Sequence, residues 1–294
     1  MQNRRDLLKL AAGAAAGLTL GAGLRTVSAQ DADASYPGSQ TIWAEQLGWR
    51  LGCHIYSFNR FTFEEGVKKN VQTGCRVCEV FPGQRIAAST EGKIGPGMSK
   101  EDKKLFKTIL ADNGCVCLTI GVTDASKRTF EFCAEMGIEV INSEPEFKDL
   151  PQIDKLCEEF NIKVGLHNHP TPSRYWDFKT VLENIKDVSP RIGACADTGH
   201  YMRSGIKPLD ALKALRGRIV SFHFKDLNKF GNGAHDVPWG KGEADVPALL
   251  RELADQKFRG CFSAEFEHNW DNSVPEIAEG VKFFNETAKS IVLG

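Results

Sequence analysis

An excess of charge of either sign is the first thing this chain lacks. Its 294 residues carry 37 basic and 38 acidic groups, a net charge of −1. A chain so balanced holds phosphate backbones poorly, so no nucleic-acid partner is expected. A dinucleotide fingerprint is missing too. No G-x-G-x-x-G follows the first strand-like run, at 50–57, which argues against a doubly wound sheet. No Gly-rich cradle for a phosphate is apparent elsewhere. Neither Cys75-x-x-Cys78 nor Cys115-x-Cys117 has a second CxxC to complete a tetrahedral zinc site. The nine cysteines are an odd number, which leaves at least one unpaired. Cys53, Cys75, Cys78, Cys115, Cys117, Cys195 and Cys261 fall in or beside strand-like runs, where small buried core residues are expected.

A long apolar run is also absent. The apolar stretch ending at Leu24 is short and rich in Gly and Ala, so no stable membrane insertion is expected once it is removed. What stands there instead is Arg4-Arg5 with Leu7, Leu8 and Lys9 behind it, then Val27-Ser28-Ala29. This pattern predicts a twin-arginine export signal over residues 1–29, cleaved after Ala29, and a periplasmic or exported protein. Removing it takes four basic groups (Arg4, Arg5, Lys9, Arg25) and one acidic group (Asp6), leaving a net charge of about −4. Residues 30–49 read as a polar lead-in without periodicity.

From residue 50 the chain alternates with regularity. Strand-like runs lie at 50–57, 75–81, 115–122, 139–143, 163–169, 191–197, 219–225 and 260–266. Amphipathic segments lie at 63–73, 100–113, 125–136, 150–160, 175–187, 208–215, 247–256 and 274–292. In 100–113, Leu105, Phe106, Ile109 and Leu110 form an apolar stripe, Ser99 can cap the start, and Gly114 ends it. Gly74, Gly137 and Gly217 stop three other helices in the same way. Eight such repeats over about 245 residues predict an α/β fold, a (β/α)8 TIM barrel over 50–294.

Functional groups of such a barrel gather at the C-terminal ends of its strands. The strand ends here carry His54; Glu79; Glu144 with Glu146; His167 and His169; Asp197 and His200; His223 and Lys225; and Glu265 with Glu267. His167 and His169 share one face by the period of two, as do Glu265 and Glu267. Mixed carboxylate and imidazole donors without thiolate suit a divalent metal such as Mn²⁺, Co²⁺, Mg²⁺ or Zn²⁺. Asp197, His223 and Glu265 are the expected core of that site. His54 reads more readily as a structural histidine, and Glu79 as a substrate contact or a salt bridge at the barrel mouth. Trp176, Trp239, Trp270 and Phe58 lie near the strand-end loops, where they would suit either stacking on a ligand ring face or a place in the core.

With these residues assembled, the chain resembles the xylose-isomerase-like barrel superfamily over residues 50–293. Ala196-Asp197-Thr198-Gly199-His200 looks like its Asp-x-x-His strand end, and His223-Phe224-Lys225-Asp226 like its His-x-Lys-Asp strand. Gly240-Lys241-Gly242-Glu243 matches its Gly-x-Gly loop, and Glu265 its last glutamate. The resemblance implies a metal held by Glu, Asp, His and Glu from strands five to eight. Where many members carry Glu before Asn-His, this chain has His167-Asn168-His169, and Glu144, His167 or His169 is the candidate replacement. The resemblance further implies a metal-dependent isomerase or epimerase of an unphosphorylated sugar or keto-sugar, which abstracts a proton next to a carbonyl. Glu265 or Glu144 would take the proton, and His169, His200 or Lys225 would return it. Glu79, His169, Trp239 and Glu267 would contact the sugar. A lyase or dehydratase on the same scaffold is the alternative, and a non-catalytic sugar-binding barrel a remoter one. A DNA-repair endonuclease would need further histidines on early strands and a basic face. Nothing in the sequence specifies the oligomeric state, and a homo-oligomer is compatible with it.

Overall fold

The computed structural model describes residues 36–294. The expected twin-arginine segment and its cleavage point lie outside the described residues. Eight parallel strands close into a barrel: β1 (Trp49–His54), β2 (Val77–Val80), β3 (Val116–Ile120), β4 (Val140–Ser143), β5 (Lys163–His167), β6 (Ile192–Asp197), β7 (Ile219–Phe224) and β10 (Gly260–Ala264). Between β7 and β10 runs a two-stranded ribbon of β8 (Asp226–Leu227) and β9 (Asp236–Val237). Around the ring the order is β1-β10-β7-β6-β5-β4-β3-β2, so β1 and β10 stand across from β5 and β4. All eight strands expected from the sequence are present, a residue or more shorter at most ends.

The helices begin and end where local chemistry dictates. Helix α2 (Phe63–Gln72) opens on a reciprocal cap between Thr62 and Glu65, and α3 (Lys100–Asp112) on Ser99, whose Oγ accepts the Asp102 N–H at 3.0 Å. Helix α4 (Lys127–Met136) stops at Gly137, whose φ of 76° a side chain would strain. Helices α5 (Leu150–Phe160), α6 (Phe178–Ile185), α8 (Pro208–Ala214), α9 (Val246–Asp255) and α10 (Val274–Leu293) complete the outer ring.

Two short helices differ from the sequence-based expectation. Helix α1 (Ile42–Gln46) lies in what reads as aperiodic lead-in, and Trp49 already belongs to β1. Asn285 of α10 fixes α1 by accepting the Trp43 and Ala44 N–H groups, a long-range contact with no local sequence signal. Helix α7 (Thr198–Arg203) starts directly at the end of β6, too short to show a period.

The barrel interior is layered by strand alternation. Phe222, Phe224 and Phe262 point outward into the helix layer, where Phe222 and Phe262 stack at 4.7 Å between ring centres. Their neighbours Ser221, His223, Ser263 and Glu265 therefore point inward. At the floor, Tyr36, Val77, Leu118 and Cys261 form an apolar plug. Above it lies a hydrogen-bonded polar layer. There Ser221 Oγ donates to Asn142 Oδ1 (2.6 Å), Asn142 Nδ2 to Glu79 Oε1 (2.8 Å) and Ser263 Oγ to Glu79 Oε2 (2.5 Å). All nine cysteines are free and buried, as expected of core residues.

Candidate metal centre

Above the polar layer, His167, Asp197, His223 and Glu265 bring one donor atom each to within 4.8 Å of one another, and all four are buried. They come from the ends of β5, β6 and β7 and from the residue after β10. Asp197 also caps α7, accepting the His200 N–H at 2.7 Å, and Asn168 clamps its backbone from both sides. The short helix thus fixes the carboxylate's direction.

Both imidazoles are oriented from behind. His223 Nε2 donates to Glu79 Oε1 (3.0 Å), and His167 Nδ1 donates to Glu144 Oε1 (2.9 Å). Each ring then turns its other nitrogen toward the centre. His167 Nε2 faces Asp197 Oδ2 at 3.5 Å, and His223 Nδ1 faces Glu265 Oε2 at 3.1 Å. Neither nitrogen has a hydrogen-bond partner among the described residues. A ring nitrogen and a carboxylate oxygen facing each other in a buried site need a proton or a metal ion between them, and the mixed imidazole and carboxylate donor set fits a divalent metal.

Without an ion, burial opposes charge on His223 while Cys195, Glu265 and Glu79 raise its proton affinity well above the ordinary value, so a metal would enter in place of that proton. Burial resists ionisation of Glu79, but the His223 and His54 rings hold its carboxyl down at about 2. Burial likewise opposes charge on Glu144, and its hydrogen bonds with His167 and His169 outweigh it, again to about 2. Asp197 and Glu265 are both held well below the carboxylate range against their burial. His200 is driven neutral by burial, so Lys225 is the cation that sustains Asp197. Hydrogen bonding to Glu144 raises the proton affinity of His169.

The expected site residues take four kinds of place. His167, Asp197, His223 and Glu265 form the cluster. Glu144 stands outside it, on the far nitrogen of His167, and also bonds His169 Nδ1 at the exposed mouth. It therefore supports the imidazole in this geometry, and His167 supplies the donor from β5. Lys225 is buried against Asp197 and Glu265 of the cluster, Glu267 stands beside it, and His200 Nε2 lies 3.5 Å from Asp197 Oδ2. Glu79 and Trp239 are corrections. Both oxygens of Glu79 are taken by Asn142, His223 and Ser263 beneath the cluster, which leaves neither free for a substrate contact. Trp239 is buried, donates to Phe224 O at 3.1 Å and packs on Phe224 and Phe284. Phe58 is also core.

Sequence reasoning missed several contributors. His54 is no isolated structural histidine. Its Nε2 donates to Gly121 O at 2.9 Å, and its Nδ1 lies 2.8 Å from Glu265 Oε1. It stacks on His223 and on Tyr56, which meets Phe81 and Trp270 edge-on to wall the mouth. Arg203, one helical step from His200, bonds His200 Nδ1 (2.9 Å), Glu267 (2.8 Å) and Asp236 (3.1 Å). The i, i+3 spacing of His200 and Arg203 was the available signal.

The chain belongs to the xylose isomerase-like TIM barrel family, whose model matches residues 67–287. Among characterised relatives it is 27% identical over 138 residues to inosose dehydratase of Bacillus thuringiensis (strain Al Hakam), a match covering 41% of this chain and 45% of that one. The chain thus spans less than half the length of that relative. A xylose isomerase-like barrel of Mycobacterium smegmatis, solved with magnesium, superposes with a TM-score of 0.68 at 13% identity, over 82% of this chain and 97% of that one. A D-tagatose 3-epimerase-like protein superposes at 0.64 with 18% identity, over 83% and 99%. No helix among the described residues is long and apolar enough to cross a membrane.

Proposed function

We propose that the protein is a metal-dependent epimerase or isomerase of an unphosphorylated sugar or keto-sugar. The observation that carries this reading is a pair of hydrogen-bonded carboxylate and imidazole couples on opposite walls. His54 and Glu265 stand at β1 and β10, and Glu144 and His169 at β4 and β5, across the ring. His167, Asp197, His223 and Glu265 would hold a divalent ion, which would supply Lewis-acid polarisation of a carbonyl. Glu265, ionised and backed by His54, accepts a proton from the carbon next to that carbonyl on one face. His169, kept protonated by Glu144, returns a proton from the other face or to the neighbouring carbon. The Tyr56, Phe81 and Trp270 wall offers an uncharged ring face to stack on, and Arg203 and Glu267 offer polar contacts at the rim.

Elimination is the second reading, supported by the inosose dehydratase relative and by a protonated His169 placed to assist a departing hydroxyl. Proton NMR of the Mn²⁺-reconstituted protein, with paramagnetic metal removed before detection, separates the two. Incubated in D₂O with free ketoses and 3-keto-glycosides, an epimerase or isomerase exchanges the proton next to the carbonyl and leaves the skeleton intact. An unsaturated sugar or released aglycone means elimination. No exchange with any substrate would sink the enzymatic reading in favour of sugar binding. We also propose that it works outside the cytoplasm, on the Arg4-Arg5 signal. Retention in the cytoplasm of cells with a working twin-arginine pathway would refute that.

A further inference from the structure

Lys225 is fully buried, yet its ammonium contacts three carboxylates: Glu265 Oε2 at 2.6 Å, Asp197 Oδ2 at 2.8 Å and Glu267 Oε2 at 2.9 Å. The first two are the same oxygens that face the free nitrogens of His223 and His167. Glu267 is the third, and it lies outside the four-residue cluster. It is already anchored by Arg203 at 2.8 Å. An ammonium and a divalent ion cannot both sit at van der Waals distance from Asp197 Oδ2 and Glu265 Oε2 without strong mutual repulsion.

We infer that Lys225 is a resident counter-cation that competes with the metal for Asp197 and Glu265, and that metal entry leaves its ammonium on Glu267. The inference rests on the metal-centre reading above. Two consequences follow from the charge balance. The empty barrel folds, because Lys225 neutralises carboxylates that would otherwise be buried without a lasting partner. In addition, the metal binds more weakly than its four donors alone would allow, since part of its binding free energy goes to displacing the ammonium.

The test is calorimetric titration with Mn²⁺, together with thermal unfolding in chelator and in Mn²⁺, on wild type, Lys225→Met and Glu267→Gln. Lys225→Met should bind Mn²⁺ tighter by about tenfold or more. Its metal-free melting temperature should fall, and its metal-induced rise should exceed that of wild type. Folding of this variant only in the presence of Mn²⁺ is the same result in extreme form. Glu267→Gln removes the ammonium's alternative acceptor while leaving the ligands in place, and should weaken Mn²⁺ binding. If Lys225→Met misfolds even in Mn²⁺, Glu267→Gln decides alone. Unchanged or weaker Mn²⁺ affinity in a folded Lys225→Met, or unchanged or tighter affinity in Glu267→Gln, overturns the inference. A wild-type protein that binds no Mn²⁺, Co²⁺, Mg²⁺ or Zn²⁺ instead overturns the metal-centre reading on which it rests.

Discussion

At the scale of single residues, carboxylates bonded to the far nitrogens govern how the centre presents its imidazoles. Glu79 is fully buried and held at about 2 against an ordinary value of 4.5. A depressed acid stabilises the fold above its unfolded value and loses that contribution as pH falls from about 4.5 to about 2, here on the order of 3 kcal/mol. Glu79→Gln keeps the shape and the acceptor for His223 but cannot titrate. Metal-free wild type should therefore lose more melting temperature between pH 5 and pH 2.5 than the variant, and parallel pH profiles would refute this. Glu144→Gln should leave the barrel folded and lower metal affinity by about 10- to 100-fold, because the partner that orients His167 loses its charge. Titration with Mn²⁺ checks it. Asp197→Ala and His223→Ala should each abolish stoichiometric metal with the circular dichroism of the barrel retained. Full metal content in both variants would remove the site assignment.

At the scale of elements, the loop from β8 to α9 shows why a motif can be read without its role. Asp226 accepts the N–H groups of Gly240 and Gly242 at 2.9 Å and of Ala244 at 3.0 Å, so one carboxylate folds the Gly-Lys-Gly-Glu loop beneath the rim. A Cβ on Gly242 would come within 2.2 Å of Asp226 Oδ1, so the glycine permits that close approach. Asp226→Ala leaves three donors without their acceptor and should cost about 3 kcal/mol or more. A urea midpoint unchanged from wild type would contradict this account. The strands and long helices were legible because their apolar periods are strong and their caps, Thr62, Ser99 and Gly137, are local. Helix α1 was not, because Asn285, more than two hundred residues away, supplies its anchoring acceptor.

At the scale of the whole molecule, the barrel is a stack of apolar floor, hydrogen-bonded middle and charged top, and metal binding should be felt globally. Saturating metal at 100 times its dissociation constant adds about 2.7 kcal/mol to the native state. For a domain of this size that corresponds to a melting-temperature rise of roughly 5–10 °C, reversed by chelator. Scanning calorimetry with and without Mn²⁺ measures it, and the same trace in both conditions would count against a resident ion.

The sequence by itself determined the barrel, its eight strands, and the candidate set of Asp197, His223 and Glu265, because periodicity marks the strands and a barrel gathers its functional groups at their C-terminal ends. Tertiary structure alone decided which groups meet across the ring. It set Glu79 and Glu144 behind the imidazoles, drew His54 to Glu265, buried Trp239 against Phe224, and placed the Lys225 ammonium among three carboxylates. Those pairings depend on barrel closure, which brings strand ends far apart in sequence to within hydrogen-bonding distance, and no local pattern encodes that distance.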